Sequence, residues 1–288
     1  MNESFLKKNV SEVPLVAFDL ETTGFSPRSG DEIIEIGAVK ILGGTIIEEF
    51  QTLVNPFRPI SPGASAVNGI TNGMVAGEPP IESVFPMFLD FIGDLPLIIH
   101  NAAFDMPFIA WKACDLGCAI KNNIVFDTLK LSRTLNPHFE NHKLGTIVEK
   151  LGLDIAPAHR ALEDSRAAWM IFNALVSSMS GGAPVSMETA LRFQGGPFPW
   201  PVVEPVSAQP LTDTEKAIQQ AIESKISMSI QYFSPYANLT TMREIRPLRL
   251  VRRMGRSYVV ADCFLRNEQR TFRVDRIMSI RHSLRAIM

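Results

Sequence analysis

Asp19 and Glu21 stand two residues apart at the end of the apolar run Val13-Pro-Leu-Val-Ala-Phe-Asp-Leu-Glu-Thr-Thr-Gly24. In a strand, residues i and i+2 share a face, so both carboxylates leave together while Phe18 and Leu20 enter a core. Two carboxylates held side by side repel by about 4 kcal/mol at 4 Å in an effective dielectric of 20. A fold tolerates them when they are solvated apart, share a proton or hold a cation. Thr22-Thr23-Gly24 then stops the strand in a turn and exposes its tip.

Two more acidic positions favour the cation. Leu95-Pro-Leu-Ile-Ile-His-Asn-Ala-Ala-Phe-Asp105 reads as a buried strand entering a helix, with Phe104, Phe108 and Trp111 at helical spacing. Pro107 belongs in a first helical turn, which places Asp105 near that helix's start. His159-Arg-Ala-Leu-Glu-Asp164 leads into an Ala-rich amphipathic helix. Positions five apart do not share a helical face, so His159 belongs to the loop after Pro157, free to fold back beside Asp164 in the opening turn.

The elements around these residues read as follows. A first strand at about 14–20 precedes a second at Ile33–Leu42, a Gly43-Gly44 hairpin turn and a third strand at Thr45–Val54. Pro- and Gly-rich loops then separate helices from the strands Leu97–His100 and Ile124–Asp127; Asp127 reads as a structural polar group. This order, hairpin first and then α/β, predicts a mixed sheet with helices on both faces. Pro- and Gly-rich residues 177–212 read as a linker, in which Phe198 and Trp200 either dock on a domain, the simpler reading, or bind a partner. A helix at Asp213–Ser224 and five short strands complete the chain, predicting a small antiparallel barrel over residues 213–288.

Asp19-x-Glu21, His100-Asn101-x-x-x-Asp105 and His159-x-Ala-x-x-Asp164, in this order, resemble the three motifs of the DnaQ-like 3′–5′ exonucleases. The histidine five residues before the last Asp marks the DEDDh branch. The resemblance covers roughly residues 12–176 and implies a ribonuclease-H-like α/β fold over a domain at 1–176. It also implies a metal-dependent activity that releases nucleoside 5′-monophosphates from 3′ ends of DNA or RNA. Four converging carboxylates would be neutralised by two divalent cations, and Mg²⁺ and Mn²⁺ take oxygen ligands. Two such ions about 3.5–4 Å apart suit in-line phosphoryl displacement. By the resemblance, Asp19 would bridge both ions, Glu21 and Asp164 would hold the ion beside the attacking water, and Asp105 would support the second. His159 would accept the water's proton, imidazole being the side chain that changes charge near neutral pH. Thr22, Thr23, Gly24, His100, Asn101 and Phe104 would line the substrate path. The family's usual His-Gly-Ile-Thr stretch is Asn68-Gly-Ile-Thr71 here, so Asn68 stands where a histidine helps hold the 3′-terminal nucleotide. That departure bears on substrate grip and leaves the carboxylate set complete.

The C-terminal runs Ile230-Gln-Tyr232, Ile245-Arg-Pro-Leu248, Gly255-Arg-Ser-Tyr-Val-Val-Ala261 and Arg270-Thr-Phe-Arg-Val-Asp-Arg-Ile277 resemble a WYL domain, an Sm-like barrel that senses ligands. Ser257-Tyr258-Val259 replaces the name-giving triplet, removing a tryptophan stacking surface. Tyr232, Tyr258, Arg270, Arg273 and Arg276 are the candidate site for a nucleotide or nucleic acid. Charge supports an anionic partner: residues 1–212 hold 14 Lys/Arg against 23 Asp/Glu, and residues 213–288 hold 14 against 7, within an overall −2. Three cysteines make no disulfide framework, and no apolar stretch is long enough to span a membrane, which predicts a cytoplasmic protein. Two rival readings are a ligand-responsive regulator with a vestigial nuclease domain, and a polymerase proofreading subunit. The intact carboxylate set and the absence of a helix-turn-helix pattern weigh against the first. The tail beyond residue 176 does not resemble a polymerase-binding tail, which favours a stand-alone or repair-associated role over the second.

Overall fold

A computed structural model describes residues 6–155, 159–203, 210–234, 239–253, 256–265 and 268–282; Pro157 and Gly255 lie outside these. The chain divides into two compact units, Met1–Val203 and Glu204–Met288.

The first unit is built on five strands: β1 (Leu15–Thr22), β2 (Ile33–Leu42), β3 (Thr45–Leu53), β4 (Leu97–Ile99) and β5 (Val125–Asp127), ordered β3-β2-β1-β4-β5. The hairpins β1–β2 and β2–β3 are antiparallel, whereas β4 runs parallel to β1 and to β5. Positive φ at Gly43 (58°) and Gly44 (85°) supplies the turn that joins β2 to β3. Helices α1 (Pro62–Asn68), α2 (Asn72–Val75), α3 (Ile81–Ile92), α4 (Ala102–Leu116), α5 (Thr128–Leu135), α6 (Leu144–Lys150), α7 (Ala161–Met179) and α8 (Met187–Phe193) surround the sheet. Alternation along β1 divides the core. Val16, Phe18 and Leu20 pack with Phe85 and Phe88 of α3 and Ile109 of α4. Leu15 and Ala17 face the other way, into a cluster with Leu131, Ile147, Phe172 and Met187 from α5 to α8. Burial on both faces accounts for the continuous apolar run of β1. This is the ribonuclease-H-like architecture, a mixed sheet between two helical layers.

Two local expectations change. Helix α4 begins at Ala102, so Pro107 sits in its second turn, where it forgoes one backbone hydrogen bond, while Asp105 keeps its place in the first. The stretch expected as a spacer from residue 177 instead folds onto the first unit. Val185, Met187, Ala190 and Leu191 are buried in the α7 cluster. Gln194 accepts from Asp127 N (2.8 Å) and donates to the Val125 carbonyl (2.9 Å), so its amide serves β5 in place of a missing strand. Trp200 Nε1 donates to the Asn123 carbonyl at 2.9 Å, and Phe198 packs beside it on the α3–α4 cluster. The apolar residues that do this are interleaved with Pro and Gly, which hides their periodicity.

In the second unit α9 (Asp213–Glu223) starts with a reciprocal Thr212–Glu215 capping box. Strands β6 (Met228–Ser234), β7 (Leu239–Arg253), β8 (Arg256–Cys263), β9 (Glu268–Arg273) and β10 (Ile277–His282) form one antiparallel sheet, ordered β10-β6-β7-β8-β9. Ile218 and Ala221 of α9 bury against Met228, Ile230, Ile245, Val259 and Phe272. Among the described residues no ladder joins β9 to β10, so the pairing itself does not close the expected barrel. Among them, too, no helix is long and apolar enough to cross a membrane, and the three cysteines are free thiols.

Candidate metal and nuclease centre

Asp19 and Glu21 project from the end of β1 on the face that carries α7, beyond the apolar Leu15 and Ala17. Asp164 meets them from the first turn of α7, its amide bonded to the Arg160 carbonyl at 3.0 Å. One carboxylate oxygen from each of Asp19, Glu21 and Asp164 lies within 4.8 Å of the other two. Asp105 approaches from the first turn of α4, 2% exposed, and its Oδ1 is buried with no hydrogen-bond partner. Burial, with the charges of Asp105, Glu21, Asp164 and Glu35, pushes the Asp19 carboxyl well above the usual carboxylate range. Burial, with Glu21, raises Asp105 as well. Glu21 is raised to about 8, burial again outweighing a hydrogen bond from Asn68. Three converging carboxylates beside an orphaned carboxyl oxygen offer an all-oxygen donor set, which suits a hard divalent cation.

The sign of the pH dependence follows. A carboxyl whose pKa is higher in the fold than in the unfolded chain adds stability below the unfolded value, and that stability is lost as pH rises through the folded value. For Glu21 the window runs from 4.5 to about 8. In a chelating buffer the melting temperature is therefore expected to fall across this interval. A flat or rising profile in thermal melts would show that these groups are solvated rather than crowded.

Three residues outside the motifs assemble the centre. Gly37 pairs with Asp19 across β1–β2, and a Cβ there would lie 2.1 Å from Leu162 N and 2.2 Å from the Ala161 carbonyl carbon. Only glycine lets α7 descend this close to Asp19. Gly37→Ala is expected to cost about 1–3 kcal/mol through overpacking and to displace Asp164; full stability and wild-type cleavage would mean α7 has room to spare. Glu35, opposite Glu21 and wholly enclosed, and the partly exposed Arg160, just before α7, form an ion pair at 2.7 Å. Their signal in the sequence is a charge and a glycine inside the otherwise apolar run Ile33-Ile-Glu-Ile-Gly-Ala38.

The remaining candidates fall into distinct places. His159 is exposed, next to Arg160, with left-handed backbone (φ 49°). Asn68 is buried at the end of α1; its Oδ1 accepts from Ile70 N at 3.0 Å, and its side chain also bonds Glu21. The expected nucleotide contact is thus a contact to a carboxylate of the centre. Thr22 and Thr23 turn inward: Thr22 Oγ1 donates to the Gly24 carbonyl (2.6 Å), and Thr23 Oγ1 accepts from Glu32 N (3.0 Å). Gly24 packs where a Cβ would meet the Asp31 carboxylate. These three hold the turn. Burial pushes the His100 imidazole down to about 4, so it is neutral, and Nδ1 lies 2.9 Å from Thr128 Oγ1. Asn101 begins α4 in left-handed conformation, its amide bonded to Asp127, which also caps α5 at Leu129 N. Phe104 stands edge-on to Phe25, which is 88% exposed, at 6.5 Å between ring centres.

In the second unit Tyr258 and Arg273 are cross-strand neighbours, whereas Arg270 falls on the opposite face of β9. Arg273 bonds Asp275, with Nε at 2.9 Å, and its amide donates to the Tyr232 hydroxyl at 3.3 Å. Tyr232 packs edge-on against Phe272 at the rim of the core. Arg276 lies in the short 3₁₀ turn between β9 and β10. The five C-terminal candidates therefore do not converge on one face.

Residues 16–172 match the exonuclease family and residues 213–282 the WYL domain. The PolC-type DNA polymerase III of Caldanaerobacter subterraneus subsp. tengcongensis is 46% identical over 161 residues, which are 56% of this chain and 11% of that protein. Its counterpart in Listeria innocua is 33% identical over 233 residues, 79% of this chain and 16% of that one. The chain thus spans about a tenth to a sixth of the length of these curated relatives. A zinc-bound crystal structure of E. coli exonuclease I with single-stranded DNA shares the fold at 15% identity, with a TM-score of 0.54, over 86% of this chain and 54% of that one.

Proposed function

We propose that this chain, which belongs to the exonuclease family and carries a WYL domain, is a 3′–5′ exonuclease that frees nucleoside 5′-monophosphates from DNA or RNA ends with two Mg²⁺ or Mn²⁺ ions. The observation that carries this reading is the meeting of Asp19, Glu21 and Asp164 on one point, with the partnerless Asp105 oxygen beside them. Asp19, Glu21 and Asp164 would hold one ion, and Asp105 with Asp19 the other. Such ions, when bound, offset the charge that builds on the phosphate during in-line displacement. His159 takes a proton from the attacking water, its exposed place before α7 leaving the ring free to turn toward the carboxylates. Phe25 and Phe104 offer edges and faces to the terminal base, a kind of contact worth about 1–3 kcal/mol per base.

DNA is the preferred substrate, on the strength of the relatives' polymerase names and the single-stranded DNA in the exonuclease I complex. Association with a replicative or repair polymerase is part of the same proposal. The deciding experiment gives purified chain matched 5′-labelled single-stranded DNA, duplex DNA and RNA with Mg²⁺ or Mn²⁺. A ladder shrinking from the 3′ end, with nucleoside 5′-monophosphates as products, is expected. Uncut strands under every condition would end the proposal.

The second unit reads as a barrel that binds nucleotide or nucleic acid. Laid flat, the outer strands of five would be about 19 Å apart, at about 4.8 Å per spacing. Yet β9 and β10 occupy those two edges and are joined only by the turn Val274–Arg276, which spans about 6–8 Å at about 2 Å per residue. The sheet must curl strongly, in keeping with an Sm-like barrel. If phosphates are its target, affinity for single strands should fall with salt at a logarithmic slope near −0.7 per contact. Arg276→Ala in the full chain, measured with Asp19 also replaced to prevent cleavage, should flatten that slope. An unchanged titration would leave the arginine as a solvated surface charge.

A further inference from the structure

Glu35 and Arg160 lie directly behind the carboxylate centre. Glu35 faces Glu21 across the β1–β2 ladder with its side chain wholly enclosed, an opposition of like charges that destabilises a sheet unless something compensates it. Arg160 compensates it. Its Nε lies 3.2 and 3.0 Å from the two Glu35 oxygens and its Nη2 2.7 Å from one of them. The same carboxylate accepts from Ala161 N at 3.1 Å and from Gln51 Nε2 at 3.0 Å. Burial works to raise the Glu35 carboxyl, but these hydrogen bonds outweigh it and hold the group below the usual carboxylate range.

One buried anion on β2 thus grips both the side chain that precedes α7 and the helix's first amide. Asp164 stands one turn further on, its amide bonded to the Arg160 carbonyl. The pair is therefore a planar fork that fixes where α7 begins.

We propose that Arg160 and Glu35 are positioning residues, which set Asp164 against Asp19 and Glu21 so that this carboxylate group can hold a divalent cation. The inference rests on the metal-dependent nuclease reading above. Residues that orient metal ligands typically cost about 10–100-fold in metal affinity or activity when removed.

The test uses the full chain. Calorimetric titration with Mn²⁺, without nucleic acid, is paired with kcat and KM on a 5′-labelled single strand and with thermal melts. Arg160→Ala is expected to weaken Mn²⁺ binding and lower kcat, each by about 10–100-fold, while KM for the strand stays near wild type. Arg160→Lys keeps an ion pair without the fork, so it should regain stability while Mn²⁺ affinity and kcat stay low. Arg166→Ala removes ion pairs to Glu49 and Glu163 on the same helix and should change neither quantity. If Arg160→Ala does not fold, the double variant Arg160→Ala with Glu35→Gln, which leaves no orphaned buried charge, takes its place. A folded variant with wild-type Mn²⁺ affinity and kcat, and only a lowered melting temperature, overturns the proposal and leaves the pair structural. Wild-type kcat in Arg160→Lys overturns the role of the fork. A wild-type chain that neither binds Mn²⁺ nor shortens the strand overturns the nuclease reading itself, an outcome told apart because it is the wild type that fails.

Discussion

Asp19→Ala should reduce cleavage of a 5′-labelled strand to background while the metal-free protein becomes more stable. Both effects come from the same crowding. Asp19 is surrounded by Asp105, Glu21, Asp164 and Glu35, and burial adds to their repulsion in opposing its ionisation. Removing it relieves the fold of a charge it disfavours and deprives a cation of one of the three oxygens that meet there. Asp19→Asn keeps the volume and should behave alike. Asp164→Ala should also abolish cleavage, since it is one of three carboxylates that, among the described residues, meet within 4.8 Å. A residue whose role is packing would show the opposite signature, with stability and activity lost together. Cleavage assays and chelator melts on the same preparations separate the two cases. Undiminished cleavage by Asp19→Ala would sink the assignment of the centre.

Most of this centre was legible in the sequence because its ligands lie at element ends, where the polarity of a chain changes abruptly. Asp19 and Glu21 close an apolar strand, and Asp105 and Asp164 open helices, so spacing and order placed all four. What escaped the sequence reading acts through close approach and burial. Gly37 reads as one small residue in a strand, and only the seating of α7 on Asp19's neighbour gives it a purpose. Glu35 reads as an interruption in an apolar run until Arg160, 125 residues away, is folded against it. Asn68 read as a substrate contact because its place in a motif was visible, whereas its bond to Glu21 depends on how α1 packs. The helix α8 was missed because the Pro and Gly around it mimic a linker, whereas Trp200 docks as expected, on the Asn123 carbonyl. In the second unit strand positions were readable from alternation, but which arginines share a face depends on register.

His159→Ala is expected to lower the cleavage rate by about 10²–10⁴-fold, the range for a positioned general base, with Mn²⁺ affinity largely kept. Unlike the four carboxylates, the histidine is exposed, and it adopts a left-handed backbone that non-glycine residues rarely take. Such strain persists where neighbouring structure enforces it. The following residue, Arg160, is anchored on Glu35. His159 therefore presents an exposed ring beside an anchored residue, suited to accept a proton from water and release it to solvent. It supplies none of the oxygens that meet at the centre, so its loss should separate rate from metal binding, which no carboxylate variant can do. His159→Gln, which can hydrogen-bond water but cannot take its proton at neutral pH, should be as slow as alanine if proton transfer is the role. Recovery of the wild-type rate by glutamine would instead make His159 a group that orients water. An unchanged rate in His159→Ala would assign activation of the water to the carboxylate centre alone.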